Sequence, residues 1–428
     1  MPLEFLFSLE RLGMKFGLEN MARICEALDH PERDFRSIIV AGTNGKGSVT
    51  AMTSAALHAA GYRSARYTSP HLERVEERFV VGEREVGSPD LEQAAATVQA
   101  VIERLVADGV LEALPTFFEC ATAIAFELFR RAAVEVAVIE VGLGGRLDAT
   151  NVITPMAAVI TSIDLDHQDL LGETLESIAR EKAGVIKPGI PVIVGPVAPG
   201  ARAVIEAACH ERAARFVSAA DRVRVSESTT LDADGRTTVS LEAGAHRLGP
   251  VTLALRGRHQ VGNAAVAVCL LSELADTGLR LDDAAIRAGL TSAQWPGRLE
   301  RARWRECDVL LDAAHNPAGA RALADYLRET GWTDVTLVVG VMRDKDVTGM
   351  LSALVPCCST LVCATPPSPR ALAADALAAL ASGLPSAPPH VVAVPDPAAA
   401  MTHACSAGAR VVATGSIFLL GPVRGILR

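Results

Sequence analysis

Lysine is scarce in this chain. Of 41 basic residues among 428, only five are lysines: Lys15, Lys46, Lys182, Lys187 and Lys345. Arginine fills the ordinary basic positions, so each lysine is a candidate for work that a planar, permanently charged guanidinium cannot do. A basic surplus is also missing. The net charge of −9 argues against nucleic acid or an anionic membrane as partner, so any bound phosphate has to be met by a local device. No apolar run reaches the length of a membrane span, and the opening MPLEFLFSLERLG lacks the basic, apolar and small-residue layout of a secretory leader. A cytoplasmic protein with no membrane partner is expected. The nine cysteines are scattered without a C-x-x-C pair, and Cys357 and Cys358 are adjacent, which suits neither a zinc site nor an ordinary bridge. Reduced, buried thiols are the reading. What is abundant is apolar: half the residues are hydrophobic, enough for the two or three packed domains that this length implies.

Strand and helix patterns alternate. Ser37–Ala41 (SIIVA), VEVAVIEVG (134–142), AAVITSID (157–164) and PVIVG (191–195) read as buried parallel strands. Helices are predicted over Ser48–Ala60, Phe117–Arg131, Thr174–Gly184, Val261–Ala275 and Asp282–Gly289. Residues 221–256 change character: short alternating segments around DADG suggest a small antiparallel addition. After QWPGRLERA (294–302) five short apolar strands, from DVLLDAAHNP to ARVVATGS, restart the rhythm with alanine-rich helical spacers. The expected fold is α/β. A phosphate-loop ATPase domain with a mostly parallel sheet (1–295) precedes a smaller Rossmann-like domain (296–428).

The phosphate loop is AGTNGKGSVT (41–50), set between a strand and a helix. Backbone N–H groups at such a helix start point toward an anion, and glycines let it approach. Lys46 can reach terminal phosphates and the Ser48 hydroxyl can serve Mg²⁺. The match to G-x-x-x-x-G-K-[ST] is imperfect: position 40 is valine, and Gly47 separates Lys46 from Ser48. Glu140 ends a buried strand, where ligands of open α/β sheets sit, and its carboxylate suits Mg²⁺ as well as it suits a solvated strand end. Asp164, Asp166, His167 and Asp169 cluster after the next strand and also read as an acidic loop or cap. HNP (315–317) makes a sensible turn and helix start.

With these segments the chain closely resembles the Mur ligase superfamily of ATP-dependent amide-bond ligases. The extra glycine of GTNGKGS is similar to its folate branch, dihydrofolate synthase/folylpolyglutamate synthase. The resemblance runs through GMKFGLENM (13–21), TSPHLERVEERF (68–79), TFFECATAIAF (116–126), EVGLGGRLDATN (140–151) and DHQDLLGETLESIAREKAGVIKPG (166–189). It continues in RHQVGNAAVAV (258–268), WPGRLE (295–300), LDAAHNP (311–317) and TGSIFLLG (414–421).

That resemblance implies a set of roles. ATP would be met by Asn44, Gly45, Lys46, Gly47, Ser48, Asn263, Arg298 and Asp312. Ser48 would serve the ATP-bound Mg²⁺, and Ser69, Glu140 and His167 a second Mg²⁺. Lys46, Lys182 and His315 would be catalytic. Substrate would be held by Gly17, Leu18, Glu19, Thr116, Phe117, Phe118, Glu119, Leu147, Asp148, Ala149 and Ser416, with RDKD (343–346) as further phosphate or glutamate contacts. An ammonium near divalent cations is repelled by roughly a few kcal/mol at an effective dielectric near 20, so Lys182 is expected as a carbamate. A carboxylate is a poor acyl electrophile; ATP would convert it to an acyl phosphate, and an amine would then displace phosphate. The implied acid is dihydropteroate or a folate γ-carboxylate and the implied amine L-glutamate, with both activities and a monomeric enzyme expected. A small-molecule kinase, a cell-wall amino-acid ligase and a non-catalytic nucleotide-binding regulator are the other classes that a phosphate loop allows. GTNGKGS, and no evident extra domain before residue 37, argue against the cell-wall ligase.

Overall fold

The computed structural model describes residues 2–13, 17–227 and 230–428. Lys15 and its neighbours Met14 and Phe16, within the 13–21 motif, lie outside them. Eight strands form the first sheet: β1 (Arg36–Ala41), β2 (Ser64–Tyr67), β3 (Phe79–Val81), β4 (Arg84–Glu85), β5 (Val136–Glu140), β6 (Ala157–Ile160), β7 (Pro191–Val194) and β8 (Arg215–Ser218). Their order is β4-β3-β2-β5-β1-β6-β7-β8, antiparallel only at β2–β3 and β3–β4. The β-branched run of β1 is buried from Ser37 to Ala41 because parallel neighbours flank it on both edges. Val40 pairs with Glu140 on one side and with Val159 on the other. The chain leaves β1 toward one edge of the sheet and returns to β6 on the other. That reversal opens a crevice at the carboxyl end of β1.

Helix α1 (Lys46–Ala59) follows β1 and is sandwiched, which is why it lacks a polar face. Gly289 allows its tight contact with helix α2 (Asp283–Ser292): a Cβ there would sit 2.6 Å from the Met52 carbonyl oxygen. The predicted antiparallel addition is three strands, β9 (Val223–Glu227), β10 (Thr238–Ala243) and β11 (His246–Thr252). The second large sheet contains β12 (Glu300–Trp304), β13 (Cys307–Asp312), β14 (Val335–Val339), β15 (Cys358–Cys363), β16 (His390–Ala393) and β17 (Arg410–Thr414), in the order β12-β13-β17-β14-β15-β16. The five parallel strands are those the sequence pattern marks. The sixth, β12, is charged and half-exposed, pairs antiparallel with β13 and gives no apolar signal.

Two contacts fix one sheet region against the other. The DADG turn reaches the helix after β13: Gly235 (φ +75°) lies so close to Tyr326 that a Cβ would sit 2.1 Å from its hydroxyl. Arg424 of the last helix, Ile417–Leu427, pairs with Glu73 of the loop after β2 and with Glu300. All nine cysteines are free thiols and eight are buried. Among the described residues no helix is long and apolar enough to cross a membrane.

Candidate active site

A cavity of about 740 Å³ lies between the carboxyl ends of β1, β5 and β6 and those of β13 and β17, where Asp312 pairs with Thr414. The phosphate loop forms its floor. Gly42 (φ +147°) has no room for a side chain, since a Cβ would lie 1.9 Å from Thr161 Oγ1. Gly45 (φ +85°) is likewise pressed against Asn263 Oδ1, at 2.3 Å. Gly47 sits in the first turn of α1 beneath the Trp295 indole, where a Cβ would be 2.1 Å from Cζ2. The glycine that breaks the usual loop pattern is therefore a packing requirement set by a residue far along the chain. Lys46 folds back on its own loop, its Nζ donating to the carbonyls of Gly42 (3.0 Å) and Thr43 (3.2 Å).

Lys182, on the helix Leu175–Ala183, is 4% exposed and donates to the same Gly42 carbonyl at 2.9 Å. Two ammonium groups thus lie within about 6 Å of each other, a repulsion on the order of 3 kcal/mol at an effective dielectric near 20. Burial, and next the charge of Lys46, push the Lys182 amine down to about 7. Lys46 is also lowered by burial, against the pull of Glu140 and Asp166. Glu140 is the converse. Burial raises its carboxyl to about 7 despite Lys46 and Arg298, and its Oε2 is a buried acceptor without a hydrogen-bond partner. The carboxylate lies beside the Ser69 backbone N–H, and its orphaned oxygen fits a hard cation. Among the described residues no three His, Cys, Asp or Glu side chains gather as a metal cage.

Asp166 ties the lobes together. It accepts from Lys345 Nζ at 2.6 Å and Asn316 Nδ2 at 3.1 Å, and His315 Nε2 is 3.4 Å away. Burial alone would raise its carboxyl; His315 and the charge of Lys345 hold it far below the ordinary range. His167, in a left-handed conformation (φ +51°), also meets Lys345 Nζ at 3.2 Å. Burial and that cation lower it to about 4, leaving a neutral ring. Asn316 does three things at once. Its Nδ2 bonds Asn44 Oδ1 and Asp166 Oδ2, both at 3.1 Å, and its Oδ1 caps the helix Pro317–Glu329. Sequence reasoning found the helix start and missed the bridge.

Thr116 and Glu119 form a buried capping box at the start of the helix Phe117–Arg131. Phe118 stacks on Tyr67 and covers Gly142, while Phe117 lies under the Arg78 guanidinium. Leu147, Asp148, Ala149 and Gly17 line the same cavity. Leu18 and Glu19 are not among the lining residues: the chain turns into the helix Glu19–Ala27 there, although Glu19 Oε2 stays against Gly17, 2.5 Å from where its Cβ would be. Ser48, Asn263 and Arg298 line the loop end of the cavity. Asp312 spends both oxygens on the backbone N–H groups of Leu299 and Ala314, at 3.0 Å each, and so clips the linker to the second sheet. Ser416 caps the last helix at the cavity wall.

Residues 40–271 match the Mur ligase middle domain and residues 297–417 the Mur ligase glutamate ligase domain. A dihydrofolate synthase/folylpolyglutamate synthase from Mycobacterium tuberculosis is 38% identical over 384 residues, 86% of this chain and 77% of that one. The chain belongs to the dihydrofolate synthase/folylpolyglutamate synthase family of Mur ligases. It spans 45% of a longer Halobacterium salinarum protein, 38% identical over 382 residues, whose name joins folylpolyglutamate synthase to dihydropteroate synthase. Among solved members of the family, Mycobacterium tuberculosis folylpolyglutamate synthase complexed with ADP and AMPPCP superposes with a TM-score of 0.90. It is 34% identical, covering 100% of this chain and 99% of that one. A bifunctional folylpolyglutamate synthase/dihydrofolate synthase with Mn, AMPPNP and L-glutamate bound gives 0.85 at 33% identity, covering 100% and 98%.

Proposed function

We propose that this protein joins L-glutamate to dihydropteroate, and to the γ-carboxylate of folates, at the expense of ATP. One observation carries the reading: a single cavity runs from the Phe117–Phe118 wall past Lys46, Lys182 and Glu140 to the loops bearing His315 and Ser416. Nucleotide, carboxylic acid and amine thus have adjoining places. The backbone N–H groups of the loop and Lys46 receive the phosphates. The acid's carboxylate oxygen bonds to the terminal phosphorus as the bond to ADP breaks. The amine nitrogen then attacks the acyl carbon and phosphate leaves. His315, its Nδ1 donating to the Ala313 carbonyl (2.9 Å) and its Nε2 turned to Asp166, would orient that carboxylate in the cavity wall, and the proton that the amine loses goes to the departing phosphate. Ser48, with Ser69, Glu140 and His167, would hold divalent cations that neutralise charge on the transferring phosphoryl group.

Lys182 enters this scheme as a carbamate. Its free amine adds to CO₂ and releases a proton, turning the repulsion with Lys46 into attraction. Its depressed basicity and burial support that reading. The bridges from His315, Asn316 and Lys345 to Asp166 support lobe closure, which keeps water from the acyl phosphate. The reading further includes a monomer, residence in the cytoplasm, and a division of the chain into 1–295 and 296–428. The test is phosphate release with ATP, Mg²⁺ and L-glutamate, comparing dihydropteroate with tetrahydrofolate. Omission of either acid or amine abolishes it. Lys182→Ala loses activity, and a small added carboxylic acid restores part of it. An alanine variant as active as the parent contradicts the carbamate.

A further inference from the structure

One buried cation in the cavity wall has no part in this chemistry. Arg78 is 6% exposed and immediately precedes β3; its carbonyl accepts from the Thr68 N–H at 3.0 Å, which holds it beside Ser69. Its Nε donates to His71 Nδ1 at 2.8 Å, its guanidinium lies 5.1 Å over the Phe117 ring, and the Tyr67 hydroxyl stands alongside. None of these partners is an anion. Among the described residues no carboxylate comes within ion-pair distance, and Glu10 and Glu140 act on it only through longer-range fields. Removing a guanidinium from water without an anion costs several kcal/mol. Lys345, another cation lining the cavity, has its carboxylate in Asp166.

The substrates offer the missing anion selectively. Dihydropteroate has one carboxylate, the one that reacts. A folate ending in glutamate has two, a reacting γ-carboxylate and an α-carboxylate that does not react but enters the same cavity. Arg78 stands between the aromatic wall at Phe117 and the activation site at Glu140. Its terminal nitrogens offer the paired donors that a carboxylate accepts. We propose that Arg78 holds the non-reacting α-carboxylate of the terminal glutamyl residue, and so determines whether folates, beyond dihydropteroate, are extended. The inference rests on the ligase reading above and deepens it.

Steady-state kinetics on Arg78→Gln and Arg78→Lys test it, with dihydropteroate and tetrahydrofolate as alternative acids. In Arg78→Gln the KM for tetrahydrofolate rises at least tenfold while that for dihydropteroate stays within threefold; Arg78→Lys falls between. Activity on dihydropteroate shows that each variant is folded. A second probe changes the substrate. A tetrahydrofolate analogue with an α-carboxamide loses at least tenfold in kcat/KM with the parent enzyme and little further with Arg78→Gln. Equal losses on both acids, or a parent enzyme indifferent to the carboxamide, overturn the assignment. So does a parent enzyme that extends dihydropteroate and refuses tetrahydrofolate, which leaves the ligase reading intact. Failure with both acids refutes the ligase reading itself.

Discussion

Replacing Gly47 by alanine puts the extra glycine of the loop on trial. In an isolated helix the change is favourable by about 1 kcal/mol. Here the new methyl would lie 2.1 Å from Trp295 Cζ2 and 2.3 Å from Cε2. Carbon atoms pack at about 3.5–4.0 Å, so the indole or the start of α1 has to retreat by about 1.5 Å. Overpacking of this kind costs about 1–3 kcal/mol, so net stability falls by about 0–2 kcal/mol. Function is hit harder. Lys46 and Ser48 flank the substituted residue, and a displacement near 1 Å at a phosphate site lowers turnover by about 10²-fold. The assay is kcat/KM for ATP, with urea unfolding, across a cycle of Gly47→Ala, Trp295→Leu and the double variant. The smaller side chain opens the space the methyl needs, so Gly47→Ala does markedly less damage in the leucine background, with a coupling above about 1 kcal/mol. A single variant with parental ATP kinetics, or a cycle without coupling, refutes this account of the loop.

Other consequences follow from the same geometry. Glu140, raised from 4.5 to about 7, makes the metal-free fold lose stability as pH climbs through that interval, because the folded state holds the proton more tightly. With CO₂ excluded, so that its amine is free, Lys182, lowered from 10.5 to about 7, makes stability rise over the interval above 7. Glu140→Gln abolishes the acid-side slope in denaturant titrations. In the parent enzyme apparent Mg²⁺ affinity falls about tenfold from pH 8 to pH 6, as a proton competes for the carboxylate. Asn316→Ala loses the helix cap and both lobe bridges, and Asn316→Ser keeps the cap. Serine therefore recovers about 1 kcal/mol of stability by urea titration but little kcat/KM. Thr116→Ala opens the buried capping box and costs about 1–2 kcal/mol in the same titration, while Thr116→Ser is near neutral.

What the sequence shows of this fold is what local physics writes into it. The buried β-branched runs of β1, β5 and β6 and the glycine-rich turn are read directly, because a strand flanked on both edges has to be apolar along its whole length. The helix start at HNP is read in the same way, since capping, here by Asn316, is decided within four residues. The bonds of Asn316 to Asn44 and Asp166 are not, because they join segments 272 and 150 positions away. The match between Gly47 and Trp295 is equally nonlocal: sequence registers an unusual glycine and structure supplies the ring above it. Strand β12 escaped because a half-exposed edge strand carries charge where a core strand carries valine. Arg78 escaped because a buried cation leaves no mark among neighbouring glutamates and arginines. Leu18 and Glu19 adjoin a residue of the cavity wall, Gly17, yet the turn into the helix keeps them out of the lining itself.

The central claim is that phosphate activates the acid's carbon before nitrogen arrives. Dihydropteroate labelled with ¹⁸O in its carboxylate tests this most directly, by mass spectrometry of the phosphate released with ATP, Mg²⁺ and L-glutamate. One labelled oxygen in each phosphate ion, with unlabelled ADP, is the predicted result. Unlabelled phosphate with amide still formed would contradict it.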